Sequence, residues 1–263
     1  MARRGALFGV WGADGRNPVR LIEVGADQVL LSGQKFFASG ADVLDMAIVT
    51  VRDAAGATLL VAVPTAGLAG RLFPEEWSVS GMRATASGRC DLEACATSRA
   101  MILGGPDDFF REPWFHGGVW RYAAVQLGGM YALAAAATKQ LCAQGRSTAP
   151  LQASRLRRIV TSCETGHLWV SAAAAATEAP AAPRAAAQSA VLARLKVAEE
   201  AISVLALVDE ALGAASFGLT HPAERVRRDL LFYLRQADPD GMGHSAMERI
   251  LDDVAARRRW GLT

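Results

Sequence analysis

The stretch that decides the fold is Gly213–Asp240, GAASFGLTHPAERVRRDLLFYLRQADPD. A small-residue cluster that begins with Gly213 ends a long segment rich in alanine and leucine, and Pro222 with Glu224 behind it is typical of a new helix start. Three arginines within four positions, then Asp229 and an apolar-aromatic run, follow in that second helix. The pattern predicts two helices that a tight turn brings close together.

The composition predicts a globular protein. The chain has 263 residues, of which 51% are hydrophobic, and this is enough apolar material for a packed core. The 28 basic and 26 acidic residues nearly cancel, so no overall field favours nucleic acid or an anionic membrane. We expect neither as a partner. The local arginine clusters could bind phosphate, CoA or nucleic acid, but they are interpreted as solvated helix faces or as partners of Asp229 and Glu224.

No segment predicts export or membrane insertion. The N-terminus reaches Gly and Asp before a signal-peptide core could form, and the longest apolar run, Tyr122–Ala137, is mostly alanine and glycine around Gln126. The four histidines are scattered without metal-ligand spacing, so no metal site is expected. The cysteines lack CxxC spacing and are predicted to be free buried thiols in a reducing cytoplasm: Cys90, Cys95, Cys142 and Cys163.

Residues 1–105 are predicted to form a β domain. Short runs of β-branched and aromatic residues alternate with Gly, Asp and Ala turns, and no helical pattern separates them. Connections this short favour an antiparallel barrel or sandwich. The predicted strands are Gln28–Ser32, Lys35–Ala38, Met46–Arg52, Thr58–Pro64 and Arg89–Ala94.

Residues 114–263 are predicted to form a helical domain. The composition changes at Pro106–Pro113, and beyond it alanine-rich segments have helical periodicity at about 117–145, 151–178, 184–213 and 222–236, with a tail helix at about 244–259. Short loops between them predict an up-and-down four-helix bundle, which makes the whole chain an α+β multidomain protein. The third helix is expected to pack through the seam Val191, Leu195, Ala198, Ile202 and Leu205.

Two motifs in the β half carry a family resemblance. Leu31–Met46, LSGQKFFASGADVLDM, contains GxK followed by aromatic-x-Ser and a Gly-containing turn. Trp77–Gly88, WSVSGMRATASG, contains G-x-R-x-S/T, with Arg83 and Thr85 at its third and fifth positions. In the helical half, Arg121 and Arg146 have the spacing that the same family shows.

The region Glu210–Asp229 completes the set, because it is similar to the run Q-x-x-G-G-x-G-F followed by P-x-E-R-x-x-R-D. With these four patterns in order, residues 8–240 resemble the acyl-CoA dehydrogenase family. The resemblance implies FAD as cofactor, an acyl-CoA or related thioester as substrate, and oxidation of its CH–CH bond. It also implies a homo-oligomer, a dimer or tetramer, or a hetero-oligomer, because in that family the flavin is shared across a dimer.

The resemblance assigns flavin contacts to four residues. Phe37 and Ser39 match the aromatic and hydroxyl residues beside the flavin ring, although a core Phe and a strand Ser would give the same letters. Arg146 matches the arginine on the FAD diphosphate of a neighbouring subunit, and its alternative role is to complement a helix dipole. Gly213 keeps the first glycine of the turn on the cofactor side.

The chain departs from the family at the catalytic base. Dehydrogenation needs a carboxylate to take the proton α to the thioester carbonyl, and the family places it at one of two positions. These positions hold Trp120 and Ala237 in this chain, and neither side chain can take a proton. Asp238 is the nearest candidate, although a loop aspartate is more often a turn residue.

Two further departures concern the rest of the site. The family's N-terminal helical domain has no counterpart before residue 8, and Glu210 and Ala214 replace a Gln and a Gly near the diphosphate. Three interpretations stay open. The chain is an acyl-CoA dehydrogenase-like flavoenzyme without the usual base, a non-catalytic or half-site subunit that pairs with a complete homologue, or a monooxygenase-like relative that uses flavin for oxygen activation.

Overall fold

A computed structural model describes residues 5–236 and 238–262 and divides them into two compact units. The first unit comprises residues up to Val79 and Arg83–Arg111, and the second comprises Ser80–Met82 and Glu112 onward. The predicted α+β class is confirmed, with a β domain followed by a helical domain. No helix in the described part of the chain is long and apolar enough to cross a membrane.

The β unit contains two sheets. The larger sheet has the strand order β10-β6-β5-β2-β3-β9, with β1 also paired to β5, and the smaller has the order β4-β8-β7. The strands are β1 Phe8–Trp11, β2 Arg20–Glu23, β3 Gln28–Ser32, β4 Gln34–Lys35, β5 Met46–Arg52, β6 Thr58–Pro64, β7 Leu72–Phe73, β8 Arg89–Asp91, β9 Cys95–Ser98 and β10 Ile102–Leu103.

The larger sheet is mixed and open. β1 and β2 pair with β5 in parallel, whereas the other pairings are antiparallel as expected. The described strands follow an open path and do not close into a barrel. β5 and β6 are rich in Val, Ile and Leu, and their inward side chains form a core with Trp11, Leu31 and Leu92.

Two predicted strands are wrong in extent. Lys35–Ala38 is a strand only at its first residue, because Phe37 has a φ of 54° and turns the backbone out of the sheet. Arg89–Ala94 ends at Asp91, and Ala94, with a φ of 51°, lies in a turn that leads to β9.

The helical unit contains the four predicted long helices with ends shifted by up to three residues. Two short helices replace the predicted tail helix, and one more precedes the first long helix. The bounds are α1 Trp114–Gly117, α2 Trp120–Ala143, α3 Pro150–Thr177, α4 Ala186–Leu212, α5 Pro222–Tyr233, α6 Pro239–Asp252 and α7 Val254–Arg259. The helices α2, α3 and α4 pack against one another, α5 packs on α2, and α6 packs on α4. The up-and-down bundle topology itself stays a prediction.

The helix α5 begins where its sequence indicates. His221 is the N-cap, its Nδ1 accepts a hydrogen bond of 3.1 Å from the Ala223 N–H, and Pro222 occupies the first helical position. The predicted seam of α4 is correct in part, since Val191 and Leu205 are buried but Ile202 is 42% exposed, and the buried face also includes Val197 and Val204.

Candidate functional site

Phe37 is presented at the surface of the β unit. Its side chain is 60% exposed, and its ring meets that of Trp77 edge-on with 5.9 Å between the centroids. The neighbouring backbone is fixed, because the Ala38 N–H donates to the Gly88 carbonyl and the Gly40 N–H donates to the Thr85 carbonyl. Phe37 therefore does not serve as a core residue.

Ser39 takes part in a row of three hydroxyl groups. Its Oγ and the Ser87 Oγ share a hydrogen bond of 2.7 Å, and the Ser87 Oγ and Thr85 Oγ1 share another of the same length. The Trp11 indole N–H donates to the Ser39 carbonyl at 3.0 Å and so fixes the backbone of this turn. The structure thus brings together the two β-half motifs, which are about 50 residues apart in sequence.

A buried lysine that the sequence analysis missed lies at the start of the same turn. Lys35 is fully buried, and its Nζ pairs with the Asp14 carboxylate and donates to Thr50 Oγ1 at 2.8 Å. The Thr50 hydroxyl donates in turn to the Gly12 carbonyl. Burial lowers the pKa of Lys35, and the hydrogen bond to Asp14 opposes that shift. The network connects residues 12–14 to β4 and β5. The lysine of the GxK motif is the residue from which this network could have been predicted.

In the helical unit, Gly213 occupies a backbone conformation that favours glycine. Its φ is 68° and its ψ is −169°, at the C-terminal end of α4. A Cβ there would meet no described atom within 4 Å, so the space beside the turn is open. The glycine is thus required by the backbone, and the predicted approach of a cofactor is not obstructed.

A buried arginine closes the turn from α4 to α5. The Arg227 Nε and Nη2 donate to Asp209 Oδ1 at 2.8 and 2.5 Å, and Nη1 donates to the carbonyl of Ser216 at 3.1 Å. The guanidinium also lies 3.9 Å from the centre of the Phe217 ring. Arg227, which lies between the two arginines of the E-R-x-x-R-D motif, is therefore an internal clamp and not part of a solvated helix face.

Glu210, which stands where the family has a Gln near the diphosphate, has a basic neighbour. Arg155 on α3 approaches its carboxylate with 3.2 Å between Nε and Oε2. Arg146 lies in the connection between α2 and α3, exposed, with its Nη1 3.4 Å from the Gln144 side-chain oxygen. A guanidinium placed in this way is available to a phosphate group.

The positions of the family's base have structural tasks where the structure describes them. The Trp120 indole N–H donates to the Glu178 carboxylate at 3.0 Å, and Arg121 donates to the same oxygen at 2.7 Å. Ala237 lies outside the described residues. Asp238 is the N-cap of α6, where its carboxylate accepts a hydrogen bond of 3.2 Å from the Gly241 N–H. Among the described residues, no group of three or more His, Cys, Asp or Glu side chains could hold a metal ion.

A contact between two distant motifs explains why both occur. The Met82 N–H donates to Asp229 Oδ1 at 2.7 Å, and Gly81 lies so close to α5 that a Cβ would be 2.2 Å from the Arg228 carbonyl oxygen. The segment Ser80–Met82 is accordingly part of the helical unit. Sequence reasoning identified both motifs but not this contact.

The comparisons with known proteins identify the fold. No protein-family model and no curated protein matches the chain. Among solved structures, XiaF from Streptomyces sp. in complex with FADH2 and glycerol is 22% identical with a TM-score of 0.72, and the match covers 91% of this chain and 68% of that one.

Two further structures are similar. Methanesulfinate monooxygenase MsuC from Pseudomonas fluorescens is 20% identical with a TM-score of 0.78, over 95% of this chain and 70% of that one. FMN-bound TdsC from Paenibacillus sp. A11-2 is 14% identical with a TM-score of 0.81, over 95% and 72%. These identities are too low to transfer an activity, but the resemblance to the acyl-CoA dehydrogenase family is confirmed at the level of the fold.

Proposed function

We propose that the chain is a flavin-dependent oxidoreductase that uses its flavin for oxygen activation, as a monooxygenase or oxidase does. The observation that carries this proposal is that the described residues at and beside the family's base positions make structural contacts. Trp120 is hydrogen-bonded to Glu178, and Asp238 caps a helix, whereas the aromatic and hydroxyl pair of the predicted flavin contact is presented at the surface. The chain therefore has the residues that would contact a flavin but no carboxylate at the positions from which an acyl-CoA dehydrogenase removes the α-proton.

The residues present fit a flavin. Phe37 would pack against the ring system, and the Ser39 hydroxyl would hydrogen-bond to it at the end of its hydroxyl row. Arg146 would bind phosphate oxygens in a bidentate manner, and open space beside Gly213 leaves room for the phosphate chain. A diphosphate partner for Arg146 favours FAD over FMN. Since the family shares its flavin between subunits, we propose a homo-oligomer.

A bound flavin would supply the electron transfer that no side chain of the chain can perform. The chain's own residues would hold and orient it, and would leave no carboxylate at the two positions where an acyl-CoA dehydrogenase takes the α-proton. Loss of a general base typically costs a factor of about 10²–10⁴ in rate. Oxidation of the CH–CH bond of an acyl thioester is therefore the alternative activity, and the same experiment tests it.

The visible spectrum of the purified protein, alone and after incubation with FAD or FMN, tests the proposal. We expect an oxidised flavin spectrum at one flavin per chain, and flavin affinity at least about tenfold weaker in Phe37→Ala. Phe110→Ala, which removes another half-exposed ring of the β unit, is the matched control. A colourless protein that neither flavin reconstitutes would refute the proposal. If butyryl-CoA or octanoyl-CoA bleached the flavin spectrum in the absence of oxygen, the function would be dehydrogenation and not oxygen activation.

A non-catalytic or half-site subunit is the second candidate. The observation that favours it is that Trp120, at one base position, donates to Glu178 and Asp238, beside the other, caps α6, so a partner chain would supply the base. Such a subunit would stay colourless with FAD alone and would gain a flavin spectrum when mixed with a complete homologue. Stoichiometric flavin binding by the chain alone excludes this candidate.

A further inference from the structure

A buried arginine in the helical unit has no counter-ion among the residues that the structure describes. Arg194 on α4 is 1% exposed, and its Nη2 donates to the carbonyl oxygens of Leu234 and Gln236 at 3.2 and 3.3 Å. Its Nε and Nη1, which carry three of the five N–H bonds of a guanidinium, have no partner in the described part of the chain. The nearest elements therefore satisfy less than half of its hydrogen-bonding capacity.

Burying the Arg194 charge with free N–H groups is energetically unfavourable unless a further acceptor binds to it. Buried cations are normally paired with a carboxylate, as Arg227 is with Asp209 in the same unit. Burial lowers the pKa of Arg194, but an arginine keeps its proton in proteins, so the charge remains. An anion that accepted the free N–H groups would remove both the unsatisfied donors and the uncompensated charge.

Two tyrosines lie near a carbonyl group that Arg194 binds, because Tyr233 directly precedes Leu234 and the Tyr122 ring contacts the Tyr233 ring. Tyr122 at the start of α2 and Tyr233 at the end of α5 meet edge-to-face with 6.1 Å between their ring centres, and Arg194 interacts electrostatically with both. Burial raises the pKa of Tyr233 to about 12, so its hydroxyl is a neutral hydrogen-bond donor near pH 7. Tyr122 is 43% exposed and connects the group with solvent.

A fourth polar side chain lies at the C-terminal end of α5. Gln126 on α2 is fully buried, and its Nε2 donates to the Tyr233 carbonyl at 3.5 Å. Its Oε1 has no hydrogen-bond partner among residues 5–236 and 238–262. The end of α5 thus brings together donors from three helices and a buried acceptor without a partner, next to the loop in which the related dehydrogenases carry their base.

We propose that Arg194, Tyr122 and Tyr233 form a binding site for the oxyanion group of a small organic molecule, a carboxylate, sulfinate or sulfonate. The planar guanidinium matches the oxygens of such a group, and neutral phenols add donors without a competing negative charge. That this molecule is the substrate rests on the proposed function, whereas the binding itself does not.

Calorimetric titration of the flavin-free full chain tests the site. The probes are butyrate and propane-1-sulfonate, compared with neutral butyramide at equal ionic strength. We expect saturable binding of both anions at one site per chain and none of butyramide. Arg194→Met should weaken anion binding at least tenfold, and Arg158→Met, an exposed arginine on α3, should leave it unchanged. Absence of saturable anion binding by the wild-type chain overturns the proposal.

A second variant keeps the test decisive if Arg194→Met fails to fold. Tyr122→Phe removes only a hydroxyl from a partly exposed ring and should weaken anion binding several-fold, about the worth of one hydrogen bond to a charged group. Equal affinity in Tyr122→Phe and wild type would exclude the phenol from the site. Anion binding without flavin binding would refute the proposed function alone, and flavin binding without anion binding would refute this inference alone.

Discussion

Replacement of Arg227 by methionine should destabilise the helical unit strongly. The stem of Met fills much of the same space, but the buried Ser216 carbonyl loses its donor and Asp209 loses its cation. An unsatisfied buried carbonyl costs about 1–3 kcal/mol. Because the Asp209 side chain is 32% exposed and partly hydrated, its lost ion pair adds only about 1 kcal/mol. We expect a total loss of about 3 kcal/mol in the free energy of unfolding.

Urea unfolding followed by the helical circular dichroism signal measures this loss, and thermal unfolding should show a midpoint about 6–12 °C lower. Arg225→Met is the matched control, because Arg225 is exposed on the same helix two residues away, and it should change stability by less than about 0.5 kcal/mol. A double substitution with Asp209→Asn should cost less than the two single losses together. Equal stabilities of Arg227→Met and Arg225→Met would contradict the clamp.

Four further outcomes are expected. Gly81→Ala should cost about 1–3 kcal/mol because its methyl group would lie 2.2 Å from a backbone oxygen of α5, whereas Gly67→Ala, in open space, should cost less than 1. Iodoacetamide at neutral pH should label exposed Cys142 and spare the three buried thiols in the native protein, as mass spectrometry would show, since burial raises the pKa of Cys90 from 9.0 to about 12. For the same reason stability should fall as pH rises above 9, where only the unfolded chain releases that proton. Asp238→Asn should keep stability and oxidase activity, and Asp238→Ala should lose about 1 kcal/mol; inactivity of the Asn variant alone would identify a base.

The sequence predicted the elements whose pattern is repeated over several residues. The strands Met46–Arg52 and Thr58–Pro64 have the predicted bounds because runs of β-branched residues in a sheet centre are unambiguous. The two-residue strands Leu72–Phe73 and Ile102–Leu103 could not be predicted, since two residues hold no period. Cys142 was expected to be buried but is exposed, on the outer face of α2.

The seam of α4 shows how a polar residue can mislead a pattern search. A search for apolar residues at steps of three and four selected Ile202, which is exposed. The buried face instead passes through Ala190, Arg194, Val197 and Ala201, which have the required spacing with an arginine among them. A charged residue on an otherwise apolar face was the available signal, and it marks the proposed anion site.

The carboxylates around the stretch Gly213–Asp240 bear on the proposed function. Asp209 pairs with Arg227, Glu224 with Arg228, and Asp229 accepts the Met82 N–H. Asp238 caps α6, and Asp240 follows in the first turn of that helix, where a negative charge is favoured. Asp209, Glu224, Asp229 and Asp238 each make a structural contact in the described chain, so a substitute base among these four would have to give up that contact. These contacts favour the proposed flavin chemistry, which needs no carboxylate at this end of α5.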